Sequence, residues 1–197
     1  MDIFSFEKEL VEGVWPFCGV DEAGRGPLAG PVCAAAVILP GDCVIEGLND
    51  SKKLTERRRE ILYDQIIENA VSFGIAFASV EEIEEINILR AALLAMHRAV
   101  EQLDPVPTLA LVDGNQKPEL SVPTVCVVGG DGKCASIAAA SVLAKVTRDR
   151  LMLQYAEEYP QYGFERHKGY ATRAHYDALR EYGPCPIHRP FFLRKMH

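Results

Sequence analysis

Four acids stand where apolar runs give out. The run at residues 17–20 leads into the adjacent pair Asp21 and Glu22, the run at 109–112 ends in Asp113, and the run at 125–128 passes through Gly129 and Gly130 to Asp131. If these runs are parallel neighbouring strands, the three aspartates converge at one end of a sheet, where open α/β sheets bind ligands. Each acid also has a local explanation as a turn residue, a hairpin Asp-Gly or a helix cap. Clustered carboxylates repel one another and are costly to desolvate unless a cation compensates. Hard oxygen ligands without a His/Cys set point to Mg²⁺ or Mn²⁺. Two such ions about 3.5–4 Å apart suit in-line phosphodiester hydrolysis, so the expected chemistry is that of a nuclease.

Two difficulties accompany that expectation. Successive strand side chains face opposite ways, so Glu22 must lie at a frayed strand end or in a bulge to join Asp21. Only ten residues, 114–123, separate Asp113 from the next strand, close to the lower limit for a parallel crossover.

The positioning elements follow from pattern. Residues 17–20, 32–39, 71–79, 108–112 and 124–128 read as strands. Residues 55–69 read as a helix with Thr55 as N-cap, and Ser79 and Glu82 form a capping box opening a long helix to about residue 103. Residues 133–155 read as an Ala-rich helix whose run 138–141 lets its backbone lie close to a sheet, and 172–182 as a last helix stopped by Gly183. The class is α/β with a C-terminal helical cap from about 157–197, in a single domain spanning 1–197.

Composition narrows the partners. The net charge is −7, but residues 1–144 carry 11 Lys and Arg against 22 Asp and Glu, whereas residues 145–197 carry 10 against 6. An acidic body with a basic C-terminal quarter fits a metal site beside a phosphate-binding surface. None of the six cysteines forms a C-x-x-C pair, which favours reduced thiols over structural zinc. No apolar run is long enough to span a membrane and the first residues do not read as a secretory signal, so a cytoplasmic protein is expected; a monomer is the expected state. Gly24 to Ala29 formally fits G-x-G-x-x-G/A, but that fingerprint must open a helix, and here prolines and a strand follow.

The stretches GVDEAGRGPLAGPV, NDSKKLT, LVDGN, VVGGDGK, AASVLAKVTRDR, FERHKGYAT and YGPCPIHR, in this order, give the chain a resemblance to bacterial ribonuclease HII over nearly its whole length. The resemblance implies a ribonuclease H-like mixed sheet flanked by helices with a C-terminal helical subdomain. It also implies an endonuclease that cuts the RNA strand of RNA/DNA hybrids and cuts at ribonucleotides embedded in duplex DNA, leaving 5′-phosphate and 3′-hydroxyl ends. Asp21, Glu22, Asp113 and Asp131 match the family's metal-binding acids for a two-ion Mg²⁺ or Mn²⁺ site. The backbone of Gly24, Arg25 and Gly26 matches the turn that reads the ribose 2′-hydroxyl. Tyr170 matches the tyrosine that packs on the sugar at the RNA-to-DNA junction, and Lys52, assisted by Lys53, a phosphate contact. Lys145, Arg148, Arg166 and Lys168 extend a basic track toward phosphates. Asp149 reads as an ion-pairing helix residue beside Arg148 and Arg150, and His167, His175 and His188 as supports of the cap or contacts to nucleic acid. The competing classes are a dinucleotide-dependent oxidoreductase and a non-catalytic hybrid-binding protein.

Overall fold

The structure is a computed structural model that describes residues 3–194. Helix α1 (Ile3–Val11) precedes strands β1 (Phe17–Ala23) and β2 (Val32–Ile38). Helix α2 (Glu56–Asn69), strand β3 (Ser72–Ala78) and helix α3 (Val80–Val100) follow, then strands β4 (Leu109–Asp113) and β5 (Thr124–Val127) and helix α4 (Ala135–Glu158). Three shorter helices, α5 (Phe164–His167), α6 (Arg173–Tyr182) and α7 (Pro190–Leu193), build the C-terminal part.

The five strands form one mixed sheet in the order β3-β2-β1-β4-β5. β1 pairs antiparallel with β2 and parallel with β4, and β4 pairs parallel with β5. The ten-residue link after Asp113 therefore does make a parallel crossover, without a helix of its own. A strand, β2, follows the Gly24–Ala29 segment, which removes the dinucleotide reading.

Alternation along β2 divides the core into two layers. Val32, Ala34, Ala36 and Ile38 pack with Ala91, Ala95 and Ala99 of α3, while Cys33, Ala35 and Val37 pack with α2 and α4. The Ala-rich start of α4 is buried all round, and it comes so close to β1 that a Cβ on Gly19 would stand 2.1 Å from the Ser136 carbonyl carbon. Glu7 of α1 fixes this helix end, accepting the Ser136 N–H at 2.8 Å.

The Ser79–Glu82 capping box forms as expected, but α3 does not run straight. Asn87 has a φ of 70°, and its Oδ1 accepts the N–H groups of Leu89 and Arg90, so a second cap begins inside the helix. The apolar spacing continues through this kink, which hides it from a periodicity reading.

In the C-terminal part, Tyr162, Phe164, Ala178, Leu179 and Ile187 bury against Met152 of α4 and against Leu28 and Ala29. His175 and His188 lie in this core with their Nε2 atoms 2.9 Å apart. His175 Nδ1 donates to the Tyr170 carbonyl oxygen, so His175 Nε2 accepts from His188 and His188 Nδ1 accepts the Cys185 N–H. Desolvation pushes both imidazoles down to about 4. The unfolded chain therefore takes up protons that the folded chain refuses between the ordinary imidazole value of 6.5 and about 4, and stability from this source is lost as pH falls through that window. Denaturation titrations should show wild type losing stability on acidification more steeply than a His175→Gln/His188→Gln variant, with no difference in slope above the window. Equal slopes inside the window would contradict the neutral pair.

Candidate active site

Strand register brings the three aspartates together. The β1–β4 pairing ends at Val20 opposite Val112, which leaves Asp21 and Asp113 side by side just past it, and β5 feeds the single 3₁₀ turn Gly130–Gly132 that carries Asp131. One carboxylate oxygen from each of Asp21, Asp113 and Asp131 lies within 4.8 Å of the other two. Asp21 and Asp131 are buried and Asp113 is half-buried. The Gly130 N–H donates to Asp113 Oδ1 at 2.7 Å, which ties the third acid's turn to the second acid.

Glu22 stands differently. β1 remains regularly paired with β2 through Asp21, Glu22 and Ala23, so Glu22 is in neither a frayed end nor a bulge. Its carboxylate is outside the three-oxygen group and pairs with Arg25 Nη1 at 3.1 Å. It is nonetheless close enough for its charge to act on Asp21.

Burial is the main cause that holds the Asp21 carboxyl well above its ordinary value, with the charges of Glu22 and Asp113 adding to it. Burial and then Asp113 raise Asp131, and burial raises Glu22 against the opposing pull of Arg25. A group of hard oxygen donors whose negative charge is disfavoured by its own neighbours has the electrostatics and donor chemistry of a divalent-cation site. Lys52 pairs with the cluster, its ammonium 3.3 Å from Asp131 Oδ2 on a side chain 76% exposed. Burial works against its charge, but Asp131 and Asp21 outweigh it and raise its pKa. Its place is set by the 3₁₀ turn Ser51–Lys53, where Asp50 Oδ1 accepts the Lys52 N–H and Ser51 shares a hydroxyl hydrogen bond with Ser141 of α4. Lys53 is exposed in the same turn.

The Gly24–Arg25–Gly26 turn leaves β1 next to the acids, linked to them by the Arg25–Glu22 pair. A Cβ on Gly26 would meet only Tyr170 Cε1, at 3.8 Å, so the turn and the half-exposed Tyr170 ring adjoin. Gly24 has a φ of +97°, and a Cβ there would stand 2.0 Å from Arg148 Nε. Gly24 is thus required by packing and backbone, whereas Gly26 leaves open space.

The four residues of the expected basic track differ in exposure. Arg148 is not at the surface: it is fully buried, and its guanidinium donates to the carbonyls of Ala29, Pro31 and Lys168. That corrects its reading as a phosphate contact. Lys145 is mostly buried, paired with Asp149 at 2.6 Å, with its ammonium 5.7 Å from the Tyr170 ring centroid. Arg166 is exposed beside Glu165, and Lys168 is half-buried. Asp149 is an ion-pairing residue, but its partners are Lys145 one turn away and Arg59 of α2 rather than its sequence neighbours.

Comparison with known proteins agrees with this geometry. Residues 18–196 match the family model for Ribonuclease HII. The chain belongs to the ribonuclease HII family. A Ribonuclease HII of Endomicrobium trichonymphae is 55% identical over 193 residues, covering 97% of this chain and 92% of the relative. Among solved structures, the ribonuclease H2 of Pyrococcus horikoshii OT3 superposes with a TM-score of 0.74 at 27% identity, covering 89% of this chain and 92% of that one. Bst-RNase HIII, solved in complex with Mn²⁺, shares the fold at a TM-score of 0.66 and 18% identity, covering 85% of this chain and 62% of that one. In this chain the fold places a three-aspartate cluster at the carboxyl ends of β1 and β4 and just beyond β5.

The repulsion within this cluster has a measurable consequence. Asp113→Asn keeps an oxygen to accept the Gly130 N–H but removes one charge, so without divalent ions it should stabilise the fold by on the order of 1 kcal/mol. Added Mg²⁺ or Mn²⁺ should raise the melting temperature of wild type and leave the variant nearly unmoved. A variant that melts no higher without ions, or responds to them as wild type does, would remove the charge argument.

Proposed function

We propose that the chain hydrolyses the RNA strand of RNA/DNA hybrids and cuts duplex DNA at embedded ribonucleotides, leaving 5′-phosphate and 3′-hydroxyl ends. The observation that carries this reading is the triad of aspartate oxygens within 4.8 Å of one another beside a glycine turn and an exposed tyrosine.

Asp21, Asp113 and Asp131 would hold divalent ions, and Glu22 would join them when its pair with Arg25 opens. A bound pair of Mg²⁺ or Mn²⁺ ions supplies the positive charge that in-line phosphodiester hydrolysis requires on its attacking and leaving oxygens. The residues around the acids do the rest. The Gly24–Arg25–Gly26 backbone meets the 2′-hydroxyl, the group that distinguishes RNA from DNA. Tyr170 packs on the sugar that follows. Lys52, exposed and anchored by a turn, reaches a backbone phosphate, with Lys53 beside it. Arg166 and Lys168 add sequence-independent attraction to phosphates, and Lys145 adds its charge from over the Tyr170 ring.

A DNA duplex carrying one ribonucleotide decides the matter. Cutting should occur beside that ribonucleotide only with Mg²⁺ or Mn²⁺ present, and Asp21→Asn should be slower by at least about 100-fold. Absence of that cut, or equal cutting by Asp21→Asn, would defeat the proposal. The glycines separate two causes. Gly24→Ala should cost about 2 kcal/mol or more in stability through the Arg148 clash and the positive φ. Gly26→Ala should melt as wild type does yet cut roughly 10- to 100-fold more slowly, because its methyl group stands where the ribose must approach. Unchanged cutting by Gly26→Ala would show that the sugar is read elsewhere.

A further inference from the structure

Arg189 is buried as deeply as any residue of the core, yet its guanidinium is spent on main chain. Nε donates to the Gly30 carbonyl at 2.8 Å, Nη1 to those of Arg25 at 3.1 Å and Pro27 at 2.9 Å, and Nη2 to that of Gly24 at 2.7 Å. Its own N–H donates to the Leu28 carbonyl at 2.8 Å. Arg148 takes the carbonyls of Ala29 and Pro31 from the other side. Every carbonyl from Gly24 to Pro31 except that of Gly26 is therefore turned toward one of these two arginines.

The geometry of the trans peptide gives this clamp an outward consequence. Within one peptide plane the C=O and the following N–H point in opposite directions. Pinning the carbonyls of Gly24 and Arg25 onto Arg189 thus aims the N–H groups of Arg25 and Gly26 away from the protein. Among the described residues neither of these amides has an acceptor. Pro27 has no N–H, so the outward face of the turn carries these two donors and no third. Arg189 also follows His188, whose ring bonds His175 and through it the Tyr170 carbonyl. The turn and Tyr170 consequently hang from one dipeptide, His188–Arg189.

We infer that Arg189 is a positioning residue for ribose discrimination: by drawing the carbonyls of the turn inward it preorganises the Arg25 and Gly26 amides as donors to the 2′-hydroxyl. The inference rests on the proposed reading of that turn. Arg189 touches no substrate atom. A lysine in its place keeps the charge but cannot present a planar fork to four carbonyls.

The test compares binding, without divalent ions, of two duplexes of one sequence, the first with a single ribonucleotide and the second all DNA. Wild type should prefer the first. Arg189→Lys should lower that preference about tenfold by weakening only the ribonucleotide-containing duplex, with a cooperative melt retained. If wild type shows no preference, the reading of the turn itself fails. If wild type prefers the ribonucleotide and Arg189→Lys keeps the preference, or loses affinity for both duplexes equally, the role of Arg189 is overturned. Should Arg189→Lys not fold, amide relaxation in free wild type decides. Arg25 and Gly26 as rigid as β1 support preorganisation, and a turn mobile without substrate refutes it.

Discussion

Carboxylates held within a few ångströms of one another in a half-dry pocket push apart with energies that flexible side chains cannot contain. Here the restraint is covalent and hydrogen-bonded frame. Asp21 and Asp113 continue two strands locked in parallel register, and Asp131 sits in a turn whose first residue bonds back to Asp113. Behind them α4 presses on β1 at Gly19, where even a methyl group would collide with helix backbone. Glu7 then holds the first turn of that helix from α1, so elements distant in sequence support one cluster of like charge.

The complementary charges are disposed by a different rule. Arg148 and Arg189 are buried against carbonyl dipoles, and neither forms an ion pair among the described residues. Burial pulls Arg189 down to about 9, and repulsion from Arg148 adds to it. Balancing two buried guanidiniums with seven carbonyl oxygens leaves their positive charge without an anionic partner near the turn, while the three aspartates, opposed by the exposed Lys52, keep most of their negative charge a few residues away. A nucleic-acid strand laid across both would place ribose near the first and, with cations between, phosphate near the second.

How much of this could be read in advance depended on whether a residue's role is local. An apolar run that ends in an acid shows in the sequence, and so does the Ser79–Glu82 capping box, because each is made by neighbours in the chain. The direction of β5 is not local: a ten-residue link suits a hairpin as well as a short crossover. The pleat predicts a frayed end or bulge at Glu22 if it is to join Asp21, but β1 stays regular there: Glu22 pairs with Arg25 and still lies close enough for its charge to act on Asp21 and for that of Asp113 to act on it. Charge alone makes Arg148 look like a surface cation. Its helical neighbours Ala144 and Met152, one turn to either side and both buried, carried the signal that it faces inward. Arg189 had no such signal, since its partners lie more than 150 residues away in sequence.

The two glycines of the turn show why a residue type does not by itself state a reason. Both invite the argument that only glycine lets backbone approach a sugar. At Gly24 the space a side chain would need is already filled by Arg148, and the positive φ excludes most residues without any ligand in view. At Gly26 there is room, and no positive φ is involved. The fold does not need a glycine there, and the space it leaves beside the Tyr170 ring is the space the proposed approach of a ribose would use.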